Sequence, residues 1–379
     1  MKVTVERTQL LKATKFASQI VPRNPIISTL SCLLIKTTPD GIVMSGTDMD
    51  ILSNVRVNCK VEETGEMVVN AKRLLDIIRE IKTHNVNIFA DEETVIINPG
   101  ESETKITGMP VSDFPDLNTS IEGDVIPLSN IDLATMIDKT SFSVAQDRTR
   151  LALTGVYWKI APDKMIMVAT DGYRLSLCEK QINIKTKESI ETIVPANTIS
   201  YVSFLLKNDV KLKTISKDAD RILFDFDNVK VISKHIEGDY PDFRRVIPLE
   251  NSKRVYVSSK KFIDVIQKMI SITNVINYSI KMTISPNKMK LIAKNEDIGG
   301  ESRESITIQY DGEPMTAGYN AVFLLEILKR IETDEVLLEF ENPQTALIMK
   351  PVVKSRGVLF EMDGLNEYLY LLMPLRLWE

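Results

Sequence analysis

Apolar positions along this chain recur with two periods. At Leu74, Leu75, Ile77, Ile78 and Ile81 they fall at i, i+1, i+3, i+4 and i+7, with Lys72, Arg73, Asp76, Arg79 and Glu80 on the opposite side. That pattern predicts an amphipathic helix over 71–82. Residues 6–21, ERTQLLKATKFASQIV, read as another helix. Elsewhere the alternation has period two: Val3 and Val5, then VNIFA, TVIIN and TKITGM, later RILFDFD and the run from Val229 to Ile236. These predict short strands, each with one buried face.

The same pattern returns along the chain. The stretch Val69-Asn70-Ala71-Lys72-Arg73-Leu74-Leu75-Asp76 aligns with Val194-Pro195-Ala196-Asn197-Thr198-Ile199-Ser200-Tyr201 and with Tyr319-Asn320-Ala321-Val322-Phe323-Leu324-Leu325-Glu326. Its three alanines are 125 residues apart. Upstream of each lies a strand-like run ending in a polar turn: MSGTDMD, MVATDGYR and LIAKNED. Asp113-Phe114-Pro115-Asp116 and Asp239-Tyr240-Pro241-Asp242 mark the expected ends of the first two repeats. Three domains are therefore expected, at 1–122, 123–249 and 250–379. Each is an α+β unit with two helices packed on mainly antiparallel sheet. A period this long belongs to a globular domain used three times, since solenoid repeats run to about 20–50 residues.

Composition adds exclusions. With 379 residues and 44% hydrophobic positions, the chain has material for more than one core. Its formal charge of −5 suggests no nucleic-acid partner on average, although an average can hide a basic stripe. Cys32, Cys59 and Cys178 are odd in number and widely spaced, which argues against a disulfide framework or a thiolate zinc site and for buried thiols. The amino terminus MKVTVERTQLLKA breaks into charge at once, and no 18-residue apolar run occurs, so a cytoplasmic protein is expected.

Enzymatic readings find little support. His84 and His235 show no metal-ligand spacing, and neither GxxxxGK[ST] nor GxGxxG occurs. Gly299-Gly300 sits among acids and reads as a turn. Asp48, Asp50 and Asp171 are open to two readings, a carboxylate set for metal-assisted hydrolysis or turn residues that accept from their own backbone. The second is favoured. No catalytic residue, metal or cofactor is expected, and the Asn118-Thr119-Ser120 sequon carries no meaning in a cytosolic chain.

Six motifs in order, TQLLKATKFASQIVPRNPIISTLSCLLI, SGTDMDI, FSVAQDRTRLALTGV, VATDGYRLSL, GDYPDFRRVIP and YLLMPLRL, resemble the beta subunit of bacterial DNA polymerase III, the sliding clamp. The resemblance spans essentially the whole chain. It implies a non-catalytic processivity factor: a head-to-tail homodimer closed into a ring, with the helices facing a central hole that holds duplex DNA. Charge agrees with that arrangement. The six predicted helices, at 6–21, 71–82, 129–144, 195–207, 258–273 and 320–331, carry +7 together, which leaves −12 for the rest. Non-specific phosphate contacts are expected from Arg23, Lys72, Arg73, Arg79 and Arg150. The middle repeat has Ala196 and Asn197 where the family often has basic residues.

The family also has a hydrophobic cleft that takes short linear peptides from the replicative polymerase alpha subunit, the clamp loader, other polymerases and repair proteins. The matching positions are Leu153, Thr170, Gly172, Tyr173, Arg174 and Leu175, then Pro241, Arg245 and Val246. Phe323 follows, with Gln344 and Ala346 less typical of the family, and the tail supplies Met373, Pro374, Leu375, Arg376 and Leu377. The run Leu371-Leu372-Met373-Pro374-Leu375 is itself expected to bury, with methionine suited to an adaptable pocket. Trp378 and Glu379 extend past the usual family terminus. The dimer seam is expected to pair Thr104 and Ile106 with Ile270 and Ile272. Two other readings stay open at this point: a clamp-like scaffold that binds peptides without encircling DNA, and a carboxylate-dependent nuclease.

Overall fold

Strand runs directly into helix wherever the repeat recurs. Lys2–Glu6 leads into helix α1 (Arg7–Ser18) and Glu66–Asn70 into α2 (Ala71–Glu80). Helix α3 is Asn130–Thr140, Ile190–Pro195 leads into α4 (Ala196–Lys207), Lys253–Ser258 into α5 (Ser259–Ile270), and Met315–Asn320 into α6 (Ala321–Leu328). The 125-residue marker is this junction. Asn70 and Asn320 are helix caps: the Asn70 side chain accepts from Arg73 N, and that of Asn320 accepts from Val322 N and Phe323 N. Ala71 and Ala321 are small because the helix start is buried against the sheet. In the middle repeat Pro195 takes the cap position; its ring fixes φ but offers no acceptor.

The computed structural model describes the chain apart from residues 92, 99, 101, 118–120, 122, 127, 183–188, 249, 356–357, 362–365 and 377–379. By contact it divides into two units, Met1–Ala134 with Asn197–His235, and Thr135–Ala196 with Ile236–Glu379. The middle repeat thus contributes strands to both. All strand pairings among the described residues are antiparallel.

In the first unit a five-stranded sheet runs in the order Lys60–Glu63, Lys2–Glu6, Asn85–Asp91, Thr94–Asn98 and Thr104–Thr107. The eight-stranded sheet runs Asp124–Ile126, Leu212–Lys217, Arg221–Phe226, Val229–Lys234, Ile51–Asn58, Gly41–Thr47, Cys32–Thr38 and Glu66–Asn70. The first and middle repeats therefore share one sheet, joined by Val229↔Val55 through Ser233↔Ile51. Helices α1 and α2 pack together, with Leu10, Phe16, Leu74 and Ile78 buried. Full burial of each such side chain contributes roughly 2 kcal/mol. The Tyr201 hydroxyl is buried here; it donates to Phe16 O at 3.0 Å, which leaves Ser53 Oγ, 2.7 Å away, to donate to it.

The second unit repeats the scheme. Its large sheet runs Ile190–Pro195, Gly155–Ile160, Lys164–Thr170, Arg174–Gln181, Asn366–Leu372, Leu347–Ser355, Glu335–Phe340 and Lys253–Ser258, with Val358–Glu361 paired to Leu347–Ser355. A four-stranded sheet runs Gly300–Thr307, Lys288–Asn295, Ser279–Ser285 and Met315–Asn320, and α5 packs with α6. Middle and third repeats join through Arg174↔Leu372 to Lys180↔Asn366. Buried Lys139 pins this join: its Nζ donates to Arg330 O at 2.6 Å and Glu332 Oε1 at 2.8 Å, over the Tyr368 ring.

The six helices form where expected, with shorter ends. The predicted 129–144 helix stops at Thr140 and tightens into a 3-10 turn, Ser141–Ser143. The Phe142 carbonyl is taken instead by Arg174 Nη2 at 2.8 Å. Cys32 and Cys178 are buried as expected, the latter thiol pushed up to about 12 by burial, whereas Cys59 is only partly covered. His84 is exposed and His235 half-buried.

Candidate functional site

The second unit carries a tight turn between strands Lys164–Thr170 and Arg174–Gln181. Thr170 Oγ1 donates to Arg174 O at 2.6 Å and accepts from Gly172 N at 3.1 Å. Asp171 Oδ1 accepts from Tyr173 N at 2.9 Å and Arg174 N at 3.0 Å. Gly172 sits at φ +89, a region costly for any residue with a Cβ, and an added Cβ would stand 2.8 Å from Arg150 Nη1. Asp48 in the first repeat works in the same way, accepting from Asp50 N and Ile51 N. Both aspartates are turn acceptors, and among the described residues no group of three His, Cys, Asp or Glu side chains is placed to hold a metal.

The turn sends neighbouring side chains in opposite directions. Tyr173 is 60% exposed, while Arg174 is 7% exposed. The Arg174 guanidinium donates to Asp171 Oδ2 at 3.0 Å, to Phe142 O and to Glu326 of α6, and lies 4.3 Å from the Phe323 ring centroid. It ties the turn to α6. Phe323 is half-buried beneath it.

Beside the turn, Leu175 and Leu371 pack with Ile166, Val168, Phe243 and Ala346 into one apolar floor. Tyr240 stacks on Tyr157 at 5.2 Å, and burial pushes its phenol well above the usual range. Phe243 and Val246 belong to a 3-10 turn, Phe243–Val246, begun by Asp242, which accepts from Arg244 N and pairs with Arg245 Nε at 3.1 Å. Large apolar groups stay in solvent in these segments: Tyr173, Val246, Met373 and, one residue after Arg150, Leu151 are all at least 41% exposed. Met373 N donates to Tyr173 O at 2.8 Å, and Leu375 N to Gly318 O at 2.8 Å, so the tail is held across the turn as far as Pro374 and Leu375. Pro241 and Arg376 are exposed, Leu153 is buried, Gln344 points to solvent, and Leu377, with Trp378 and Glu379, lies outside the described residues.

The sequence reading missed Leu151, Phe142 and Glu326. Leu151 had a local signal, a leucine in a polar 3-10 segment, Arg148–Thr154. Glu326 had none, since its partner is 152 residues away.

The expected phosphate-binding residues do not all share one setting. Arg23, Lys72 and Arg73 are exposed, the last two on the first turn of α2, and among the described residues they make no ion pair. Arg79 is held by Asp76 at 3.6 Å. Arg150 lies against Gly172, in the Thr170–Arg174 turn. Of the seam residues, Thr104 and Ile106 lie on an edge strand, Thr104–Thr107. Ile270 ends α5, and both it and Ile272 are half-buried; the bare apolar side chains nearby are Val275, Ile276 and Ile298, at 73%, 87% and 64% exposure.

Three family models match in order: the N-terminal domain of the DNA polymerase III beta subunit at residues 1–118, its central domain at 127–242, and its C-terminal domain at 244–363. The beta sliding clamp of Caulobacter vibrioides is 28% identical over 384 residues, covering 99% of this chain and all of that protein. That of Chlamydia muridarum is 28% identical over 363 residues, covering 96% of this chain and 99% of that protein. The chain also matches the crystal structure of a Bartonella birtlesii sliding clamp bound to griselimycin, with TM-score 0.92, 26% identity and full coverage of both chains. Three domains of one subunit, matched in order along a chain that repeats one strand–helix unit, place this protein in the DNA polymerase III beta subunit family, the bacterial beta sliding clamps.

Proposed function

We propose that the chain closes as a homodimeric ring around duplex DNA in the cytoplasm and tethers the replicative polymerase, the clamp loader and other replication and repair proteins. As a DNA sliding clamp it is a processivity factor and performs no chemistry of its own. The observation that carries the reading is the threefold strand–helix unit, each copy matched by a domain of the same subunit. We assign the three domains the bounds 1–122, 123–249 and 250–379.

Partner peptides lie over the Leu175–Leu371 floor, with Tyr173, Val246 and Met373 closing around an apolar anchor. Arg174 acts from below, fixing the turn on α6. Arg376 at the rim favours peptides with acidic neighbours, while Arg245 is held at that rim by its pair with Asp242. Duplex DNA meets Arg23, Lys72, Arg73 and Arg79, with Arg150 available to either surface. Contacts of this kind neutralise phosphates without reading bases, so affinity falls with salt at a log–log slope of about −0.9 per phosphate contacted.

The seam joins Thr104–Thr107, the outer strand of the five-stranded sheet, to the third repeat of a second copy near Ile272. The Ile272 and Ile298 side chains both flank Gly300, at the start of the outer strand Gly300–Thr307. Exposed Val275, Ile276 and Ile298 then gain a cover. Sedimentation at micromolar concentration tests the ring: a species of twice 42.8 kDa is expected, and a stable monomer contradicts it.

A further inference from the structure

The turn of the peptide cleft has a duplicate in the first unit. Thr47 Oγ1 donates to Ile51 O at 2.8 Å and accepts from Met49 N at 3.0 Å, as Thr170 does for Arg174 and Gly172. The strand that follows pairs with one from the next repeat in both places. Even the closing bond recurs: Lys234 N donates to Asp50 O at 3.0 Å where Met373 N donates to Tyr173 O. Position by position, Met49 stands for Gly172, Asp50 for Tyr173 and Lys234 for Met373.

This duplicate encloses a pocket of about 170 Å³ with Leu52, Ile232 and Leu117 at its floor and Met49, Pro115 and Asp116 at its rim. That is below the roughly 300 Å³ at which ligand pockets begin, and suits a single aliphatic side chain. Met49 is 51% exposed at φ +82, a backbone region that a glycine would occupy without strain. The strain keeps a flexible thioether over an apolar floor, where it can adapt to an incoming side chain.

Charge separates the two pockets. In the cleft Asp242 is matched by Arg245. In the duplicate, Asp50 is matched by Lys234 at 3.2 Å and Arg221 by Asp218 at 3.0 Å, but Asp116, the counterpart of Asp242, makes no ion pair among the described residues. We infer that the pocket beneath Met49 is a second peptide site, taking one aliphatic residue flanked by a lysine or arginine that meets Asp116. It extends to the duplicate the reading of the Thr170 turn as a peptide cleft, and the two sites sort partner segments by charge.

The test uses the full chain labelled at its methionine methyl groups, with Met49 and Met373 assigned from the Met49→Leu and Met373→Leu spectra. Two blocked peptides, Gly-Leu-Lys-Leu-Gly and Gly-Leu-Asp-Leu-Gly, are titrated separately. The lysine peptide is expected to shift Met49 saturably, at least about tenfold more tightly than the aspartate peptide does there. Asp116→Asn is expected to erase that preference and leave the Met373 response unchanged. A silent Met49, equal response to both peptides, or a preference that survives Asp116→Asn overturns the second site. Met373 silent to both peptides while Met49 responds overturns the cleft reading instead, and silence at both positions overturns both.

Discussion

Thr47–Ile51 and Thr170–Arg174 are one backbone device used twice, and the side chains mounted on it differ at every exposed position. A threonine hydroxyl and an aspartate carboxylate hold each turn by bonds of nearly equal length. The second turn then has a glycine where backbone conformation asks for one, throws a tyrosine into solvent and turns an arginine inward to α6. The first has a strained methionine, an ion-paired aspartate and a buried isoleucine in those places. Duplication preserves hydrogen bonding, which any repeat needs in order to fold, and leaves the exposed side chains free to diverge.

The largest expected effect separates Arg174 from the rest of its turn. Arg174→Ala strands Asp171 and Glu326 and bares the Phe323 ring, so a loss of about 3 kcal/mol is expected from the urea midpoint. A loss under about 0.5 kcal/mol, the range of ordinary surface substitutions, would show that α6 does not depend on this tie. Next come the threonines. Thr47→Val and Thr170→Val each remove a hydroxyl that both donates and accepts, and each is expected to cost about 1–2 kcal/mol. Clearly unequal losses would break the claim of a shared device. The smallest pair has opposite signs. Met49→Gly relieves positive φ and is expected to gain up to about 1 kcal/mol, whereas Gly172→Ala imposes that strain, loses about 1 kcal/mol and displaces Arg150. Thermal unfolding of both variants checks the signs.

Much of this was readable in the sequence because repeats turn local chemistry into a pattern. The alanines at 71, 196 and 321 mark the strand–helix junction, and the apolar face of α2 gives its helix directly. The turn aspartates followed from ordinary turn chemistry. What stayed hidden depends on long-range pairing. Nothing local to Arg174 reveals that it is buried on Glu326, or that Lys139 is buried on Glu332. The sheets that join one repeat to the next were equally invisible, since Ser233↔Ile51 and Arg174↔Leu372 link positions far apart in the chain. Helix ends were overextended because a carbonyl such as that of Phe142 can leave the helix for a distant arginine.

We propose that this protein holds DNA by topology, with weak contacts from residues such as Lys72 and Arg73 letting it slide. The direct measurement is retention on DNA after loading by a clamp loader and ATP onto a nicked circle. The protein is expected to stay on the closed circle through gel filtration and to be lost after a single linearising cut. Retention on the linear product would contradict it.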